Sequence, residues 1–116
     1  MNTKRRIIET RAFSKEIADL IAKNSLLQDD YDVLKKELAE NPEKGDLLAG
    51  TGGVRKIRLR SSSRGKSGGF RVCHFYYAFG EAVYLLLVFQ KNEQENLSAE
   101  QKKALKNITD AIKGKK

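Results

Sequence analysis

A run of basic side chains in the middle of the chain is the strongest chemical signal in the sequence. Between Leu47 and Gly80 there are seven lysines and arginines and no carboxylate, against a net charge of +8 for the whole chain. The seven are Arg55, Lys56, Arg58, Arg60, Arg64, Lys66 and Arg71. A surface that serves only solubility mixes its signs. A cationic segment of this kind therefore predicts a polyanionic ligand, and nucleic acid is the usual one.

The spacing of the basic residues indicates how a sheet would present them. Lys56 and Arg58 are two residues apart in a β-prone run, so they project from the same face of a strand. Arg71 begins the next β-prone run, and it approaches them across the sheet if the two strands pair through the 61–69 loop. Arginine is suited to bidentate contact with phosphate. The alternative is that these charges form an ordinary solvated face.

The segment 60–67 has the composition of a nucleotide-binding loop but not its pattern. That motif needs a glycine five residues before Gly65, where this chain has Arg60. It also needs a helix after Ser67, where the sequence continues as a β-prone run. An ATPase is therefore excluded. The segment is either a flexible polar loop or a set of backbone amides that close around a phosphate, with charge from Arg64 and Lys66.

The chain has one histidine and one cysteine, in neighbouring positions. His74 lies in an apolar run, which favours a structural role; a general base is the alternative, since imidazole titrates near neutrality. Cys73 has no partner for a disulfide and no metal-ligand spacing, so it is expected in the core. Neither a metal nor another cofactor is predicted.

Hydrophobic periodicity predicts an α+β fold with the element order β-α-α-β-β-β-α. A short strand is expected at residues 4–10 and helices at 12–23 and 26–40, the second ended by Asn41-Pro42. Strands are expected at 54–60, 70–79 and 82–90, with a hairpin turn at 79–81 and the last two strands central in the sheet.

Ser98 and Gln101 form a capping box that opens a last helix. The residues expected to face inward on it are Ala104, Leu105, Ile108 and Ile112, with Gly114 as its stop.

Length and hydropathy limit the class of protein. A chain of 116 residues is expected to form one domain over residues 1–116. No apolar run is long enough to span a bilayer, and the basic start at 4–6 lacks the apolar region of a signal peptide. A cytoplasmic location is therefore expected.

Three short blocks in a defined order carry a family resemblance. They are Gly50-Thr-Gly-Gly before the first basic strand, Gly65-Lys-Ser-Gly-Gly before Arg71, and Lys91-Asn92-Glu93 after the last strand. With the leading strand and the two helices, they make the chain similar to the RelE superfamily of toxins from bacterial type II toxin–antitoxin modules. The HigB-like branch is the most similar. The resemblance covers most of the chain.

The resemblance implies a RelE-type fold and an enzymatic activity. In that fold two N-terminal helices and a C-terminal helix accompany a small, mostly antiparallel sheet, and the implied activity is ribosome-dependent cleavage of mRNA in the A site of the 30S subunit. The catalytic candidates by position are Lys56, Arg58, Arg71 and Lys91. The RNA-binding candidates are Arg55, Arg60, Arg64, Lys66 and Asn92. Either Lys56 or Lys91 is the candidate general acid or base.

The resemblance also implies partners. They are the ribosome with its mRNA and a cognate antitoxin of the helix-turn-helix type, through which alone the toxin would reach operator DNA; no membrane partner is expected. Two other classes of function are alternatives. One is a non-catalytic regulator that binds RNA or DNA on the cationic face, and the other is a protein-interaction role, such as a co-repressor bound to its antitoxin.

Overall fold

The computed structural model of the protein describes residues 5–60, 69–90 and 96–114. Its elements are β1 (Arg6–Glu9), α1 (Arg11–Ala22), α2 (Gln28–Glu40), β2 (Asp46–Leu47), β3 (Arg55–Leu59), β4 (Phe70–Tyr77), β5 (Ala82–Gln90) and α3 (Ala99–Ile112). The expected α+β class is confirmed, and the one addition to the expected order is the two-residue strand β2. Within the described residues, no helix is long and apolar enough to cross a membrane. That the whole chain forms one domain stays a prediction.

The five described strands form one sheet in the order β1-β5-β4-β3-β2. β1 runs parallel to β5, and the other three pairs are antiparallel. β4 and β5 lie inside this order, as predicted. Most of their apolar side chains alternate between two covered faces, which is the pattern of a strand that is packed on both sides.

One side of the sheet, called here the helix-pair face, is covered by α1 and α2. Phe13 and Ile17 of α1 are buried at helical spacing, and so are Leu34 and Leu38 of α2. They pack on alternate residues of the strands. The strand residues of this cluster are Ile57, Leu59, Phe70, Val72, Val83, Leu85 and Val88. The two helices are separated where predicted, because Asn24 adopts a left-handed conformation with φ of +60°.

The other side of the sheet, called here the α3 face, is partly covered by α3. The capping box that opens this helix is confirmed, since Ser98 and Gln101 exchange backbone-to-side-chain hydrogen bonds of 3.0 and 3.1 Å. Leu105 is buried as expected, and Ile108 and Ile112 pack beside it. The cluster also contains Val54, directly before β3, and the strand residues Cys73, Phe75, Tyr84, Leu86, Leu87 and Phe89.

The prediction that Ala104 faces inward is wrong. Ala104 is exposed, and Thr109 is fully buried in the packed face of α3. An α-helix turns about 100° per residue, so Ala104 lies a quarter-turn from Leu105 and outside the sector that Leu105, Thr109 and Ile112 share. The apolar character of alanine predicts that residue 104 is buried, but the helix geometry puts Thr109 on the buried side instead.

The connection between β4 and β5 is a hairpin at the expected place with a different local form. A turn of 3₁₀-helix spans Ala78–Gly80, and Glu81 closes it in a left-handed conformation with φ of +49°. β4 therefore ends at Tyr77, two residues earlier than expected. The pairing also shifts register between Cys73 and His74. Leu86 is left without a partner there, so Leu86 and Leu87 both pack on the α3 face.

Two glycines offer a matched test of backbone strain. Gly45 and Gly50 both have positive φ, +109° and +79°, but a Cβ at Gly45 would lie 2.7 Å from the Lys56 carbonyl oxygen, whereas a Cβ at Gly50 would have no atom within 4 Å. We expect Gly50→Ala to lower the free energy of unfolding by about 1 kcal/mol, the cost of a left-handed alanine. Gly45→Ala is expected to lower it by roughly 3 kcal/mol, because the β2–β3 pair must also separate. Urea unfolding measures both, and equal losses would contradict the proposed contact.

Candidate functional site

The antiparallel pairing of β3 and β4 brings two arginines together. Arg58 and Arg71 are directly opposed across the strands, and Lys56 is opposed to Cys73. Ile57 on β3 and Val72 on β4 pack on the helix-pair face. Because side chains alternate along a strand, Lys56, Arg58 and Arg71 point to the α3 face. Opposed side chains in such a pair have Cβ atoms about 5 Å apart. These three residues are called the cationic face below.

The cationic face is accessible, and the carboxylate directly opposed to it across the strands is that of Asp46, the partner of Lys56 on β2. Arg58 is exposed, and Lys56 and Arg71 are half-buried. Every salt bridge between described residues involves other groups, and the Arg71 guanidinium only donates to the neighbouring Phe70 carbonyl, at 3.4 Å. Like charges directly opposed on a sheet destabilise it. An anion bound between Arg58 and Arg71 would remove that repulsion.

The neighbour of Lys56 on the cationic side is an unreactive thiol. Cys73 is fully buried in the α3 cluster, as expected. Burial raises the pKa of its thiol to about 12, although the Lys56 ammonium acts in the opposite direction. A thiol with this pKa stays protonated at neutral pH, so Cys73 is no nucleophile.

Arg55 lies apart from the cationic face. It alternates with Lys56 and shares the parity of Ile57, which is in the helix-pair cluster. Its Nη1 donates to the Gly45 carbonyl at 3.0 Å, and its cross-strand partner is His74. The structure therefore gives Arg55 a role in holding the 45–46 turn on β3, and its proposed contact with RNA has no geometric support from this face.

Arg60 follows the end of β3 and is exposed. With Arg58 it lines a pocket of about 330 Å³ between β3 and α2, beyond the short stretch of β3 that β2 covers. Asp30 and Glu37 of α2 also line this pocket. The basic surface thus meets carboxylates at the edge of the sheet, and the member of the cationic face farthest from that edge is Arg71 on β4.

Four of the predicted site residues lie outside the described residues. They are Arg64, Lys66, Lys91 and Asn92. Their predicted roles stay predictions.

His74 is a buried structural residue of the helix-pair face. Its side chain has no exposed surface, and its Nε2 lies 2.8 Å from the Lys44 carbonyl oxygen, to which it donates. Burial lowers the pKa of His74 to about 4; the acceptor at Lys44 opposes this shift and the Arg55 guanidinium adds to it. The general-base alternative fails on position, because the sheet separates His74 from Lys56, Arg58 and Arg71.

The sequence analysis missed the role of two side chains on α3. Thr109 and Lys113 hydrogen-bond to the backbone of the Gly50–Gly53 turn. In the sequence, the glycines of this turn indicate only one block of the family resemblance. The signal that could have revealed the contact is Thr109 itself, a polar residue at an apolar position of the helix.

This fold is that of a small bacterial toxin. The structure is similar to that of the free state of a double arginine-to-alanine mutant of the E. coli toxin RelE, with a TM-score of 0.55 and 21% sequence identity. The match covers 79% of this chain and 88% of that one. At this identity the likeness concerns the fold alone, and it confirms the expected RelE-type architecture.

Sequence comparison takes the assignment further. The family model described as the RelE toxin of the RelE/RelB toxin–antitoxin system matches residues 5–116. The chain therefore belongs to the RelE toxin family. Membership makes it the toxin of a toxin–antitoxin pair and gives it an antitoxin as a partner. The narrower placement in the HigB-like branch stays a prediction.

The lowered pKa of His74 predicts a pH dependence of stability. An unfolded histidine titrates near 6.5 and the folded one near 4. Between these values the unfolded chain binds a proton that the folded chain does not, so the free energy of unfolding should fall as the pH drops from 6.5 to 4. The loss is up to roughly 3 kcal/mol.

His74→Gln supplies the control, since glutamine keeps an N–H donor and does not titrate. Urea unfolding at several pH values should give curves for the parent and His74→Gln that converge toward pH 4. Parallel curves over this range would show that His74 makes no such contribution.

Proposed function

We propose that this toxin is an endoribonuclease that cleaves translated mRNA in the ribosomal A site and so stops translation. The observation that carries the proposal is the opposed pair Arg58 and Arg71, with Lys56 beside it, on an accessible part of the sheet in a member of the RelE family. Such a face suits a phosphodiester that gains negative charge during reaction.

RNA supplies its own nucleophile for this reaction. The 2′-hydroxyl attacks the adjacent phosphorus, a new O2′–P bond forms, and the P–O5′ bond breaks to leave a cyclic phosphate and a 5′-hydroxyl. The enzyme must align the attacking and leaving oxygens and stabilise the phosphorane between them. Arg58 and Arg71 are placed to hold the non-bridging oxygens in bidentate contacts, because a guanidinium matches phosphate geometry.

Two proton transfers accompany the cleavage. One proton leaves the 2′-hydroxyl, and another reaches the departing 5′-oxygen. Lys56 lies on the cationic face and is a candidate for one of them; Lys91 is the other candidate from the sequence. No metal or cofactor is part of this proposal.

The ribosome is proposed to complete the site. A face with three cations binds phosphate firmly, but it does not by itself hold a flexible RNA strand in line for attack. A ribosome that holds the mRNA codon in the 30S A site would supply that order. Arg60, Arg64, Lys66 and Asn92 are proposed to contact RNA around the reacting phosphate.

The antitoxin is proposed to be a helix-turn-helix protein, through which the toxin reaches operator DNA. A reading frame for such a protein next to the toxin gene would support this, and co-purification of the two chains would test it. The site of action, translating ribosomes, places the toxin in the cytoplasm.

The alternative is a regulator that binds RNA without cutting it. One observation favours this alternative. Cleavage needs two proton transfers, and Lys56 is the one lysine candidate for them on the described part of the cationic face. The two functions differ in the fate of the RNA, because a regulator leaves the transcript intact.

Arg71→Ala tests the role of the opposed pair. We expect the rate of mRNA cleavage on ribosomes to fall by a factor on the order of 10²–10³, because one donor to the phosphorane is lost. Arg71→Lys should also be slow, since an ammonium cannot make the bidentate contact. Primer extension on a translated transcript measures the rate, and circular dichroism checks the fold.

The charge control is Arg11→Ala, on the exposed start of α1, which should cut mRNA at the parental rate. Full activity of Arg71→Ala would show that the site lies elsewhere.

Ribosome dependence is tested with one transcript in two states. The transcript should be cut on programmed ribosomes with an occupied P site and an empty A site. Naked transcript at the same concentration should be cut at least about 100-fold more slowly, because the in-line geometry is then lost. Equal rates would refute the dependence on the ribosome, and binding with no cutting in either state would favour the regulator.

A further inference from the structure

The Gly50–Gly53 turn, directly before the cationic strand β3, is bonded to the far end of the chain. The Thr109 hydroxyl oxygen lies 3.0 Å from the Thr51 carbonyl oxygen and 3.0 Å from the Lys106 carbonyl oxygen of its own helix, so its one proton is shared between these acceptors. The Lys113 ammonium donates to the Gly52 carbonyl at 2.8 Å. Thr51 and Thr109 are both fully buried. These four residues, Thr51, Gly52, Thr109 and Lys113, are called the turn–helix contact.

The turn–helix contact is shaped for close approach. Gly52 has φ of +79°, and a Cβ at this position would lie 2.4 Å from the Thr109 hydroxyl. Only glycine allows the helix to come this near. The Lys113 ammonium also lies 5.4 Å from the centre of the Phe75 ring, which adds a cation–π attraction at the same point. The glycine block therefore serves packing against α3.

The turn is tied on its other side to the start of β3. The Thr51 hydroxyl donates to the Leu48 carbonyl at 2.7 Å and accepts from the Val54 amide at 3.1 Å. Val54 is fully buried in the α3 cluster together with Cys73, which is the cross-strand partner of Lys56. A displacement of the turn would therefore move Val54, and with it Lys56, which lies two residues further along the chain.

The same contact determines where α3 lies. Leu105 and Ile112 pack into the α3 cluster on either side of Thr109 along the helix. Apolar packing alone is non-directional and tolerates sliding, whereas two hydrogen bonds to successive carbonyls of a turn define one position. α3 is the element that covers the sheet next to the cationic face.

We propose that Thr109 and Lys113 are positioning residues for the cationic face: by bonding the Gly50–Gly53 turn they hold both α3 and the start of β3 in the geometry that cleavage requires. The inference rests on the proposed function, because the geometry in question is that of the RNA-cleaving face. Neither side chain is proposed to contact RNA.

The experiment compares two variants with matched controls. Thr109→Val keeps the shape of the side chain and removes the hydroxyl, whereas Thr109→Ser keeps the hydroxyl. Lys113→Met removes the ammonium at the end of the helix, and Lys103→Met removes the same charge from an exposed position of α3. Lys113→Met also covers the case in which Thr109→Val does not fold, because Lys113 is at the surface end of the helix.

The readouts separate positioning from a loss of stability. We expect Thr109→Val and Lys113→Met to lower kcat for mRNA cleavage on ribosomes about tenfold or more, at a temperature where both are folded, with KM for the ribosome within about twofold. Thr109→Ser should restore most of the rate, and Lys103→Met should match the parent. A lower melting temperature with unchanged kcat in both variants would overturn the proposal and leave the contact a stabilising one.

A second measurement does not depend on the activity. In NMR spectra of the free protein, the backbone amide resonances of Lys56 and Arg58 should shift in Thr109→Val and Lys113→Met and stay in place in Lys103→Met. If the parent chain cuts no mRNA, the proposed function fails, and these shifts still decide whether the turn–helix contact controls the cationic face. Unmoved resonances would refute that control.

Discussion

The burial of β4 and β5 on both faces is the constraint on which the rest of the arrangement depends. Val72 and Val83 are fully buried on the helix-pair face, and Cys73 and Leu86 are buried on the other. Two apolar faces need two covers, so the chain must place helices on both sides of one small sheet. The cationic face is then confined to the part of the α3 face beside the α3 cluster, where Phe89 is the partner of Arg71 on β5.

That confinement explains how the protein tolerates two opposed arginines. The repulsion between Arg58 and Arg71 costs on the order of 0.2–1 kcal/mol, and water and salt at the exposed Arg58 keep it small. The apolar clusters on both sides of the sheet offset this easily. The backbone positions of the two arginines are thus fixed by the sheet itself.

Much of this architecture follows from local sequence patterns. The change from helical spacing around Phe13 and Leu34 to strand alternation around Ile57 predicts the element order, and the box at Ser98 predicts the start of α3. Pairing of the two basic strands could also be predicted, because a short loop joins them. The roles of the cations in chemistry could be proposed only through the family resemblance.

The features that were missed depend on contacts distant in sequence. Thr109 is buried because a glycine turn more than fifty positions earlier accepts its hydrogen bond, and no local pattern contains that partner. Arg55 belongs by composition to the basic run, but strand alternation turns it toward Gly45. The register shift beside His74 is set by how β5 packs on two clusters at once. β2 is too short for any periodicity to show.

The parallel pairing of β1 with β5 has a consequence for how the chain is made. Residue 6 pairs with residue 82, so β1 leaves the ribosome long before its partner β5. The β4–β5 hairpin closes within a short stretch and can form early, whereas β1 pays the entropy of a long loop closure. During synthesis β1 therefore stays without its partner strand until β5 has emerged. The sheet of this RelE-family toxin is in this way closed at β1 only after the ribosome has made β5.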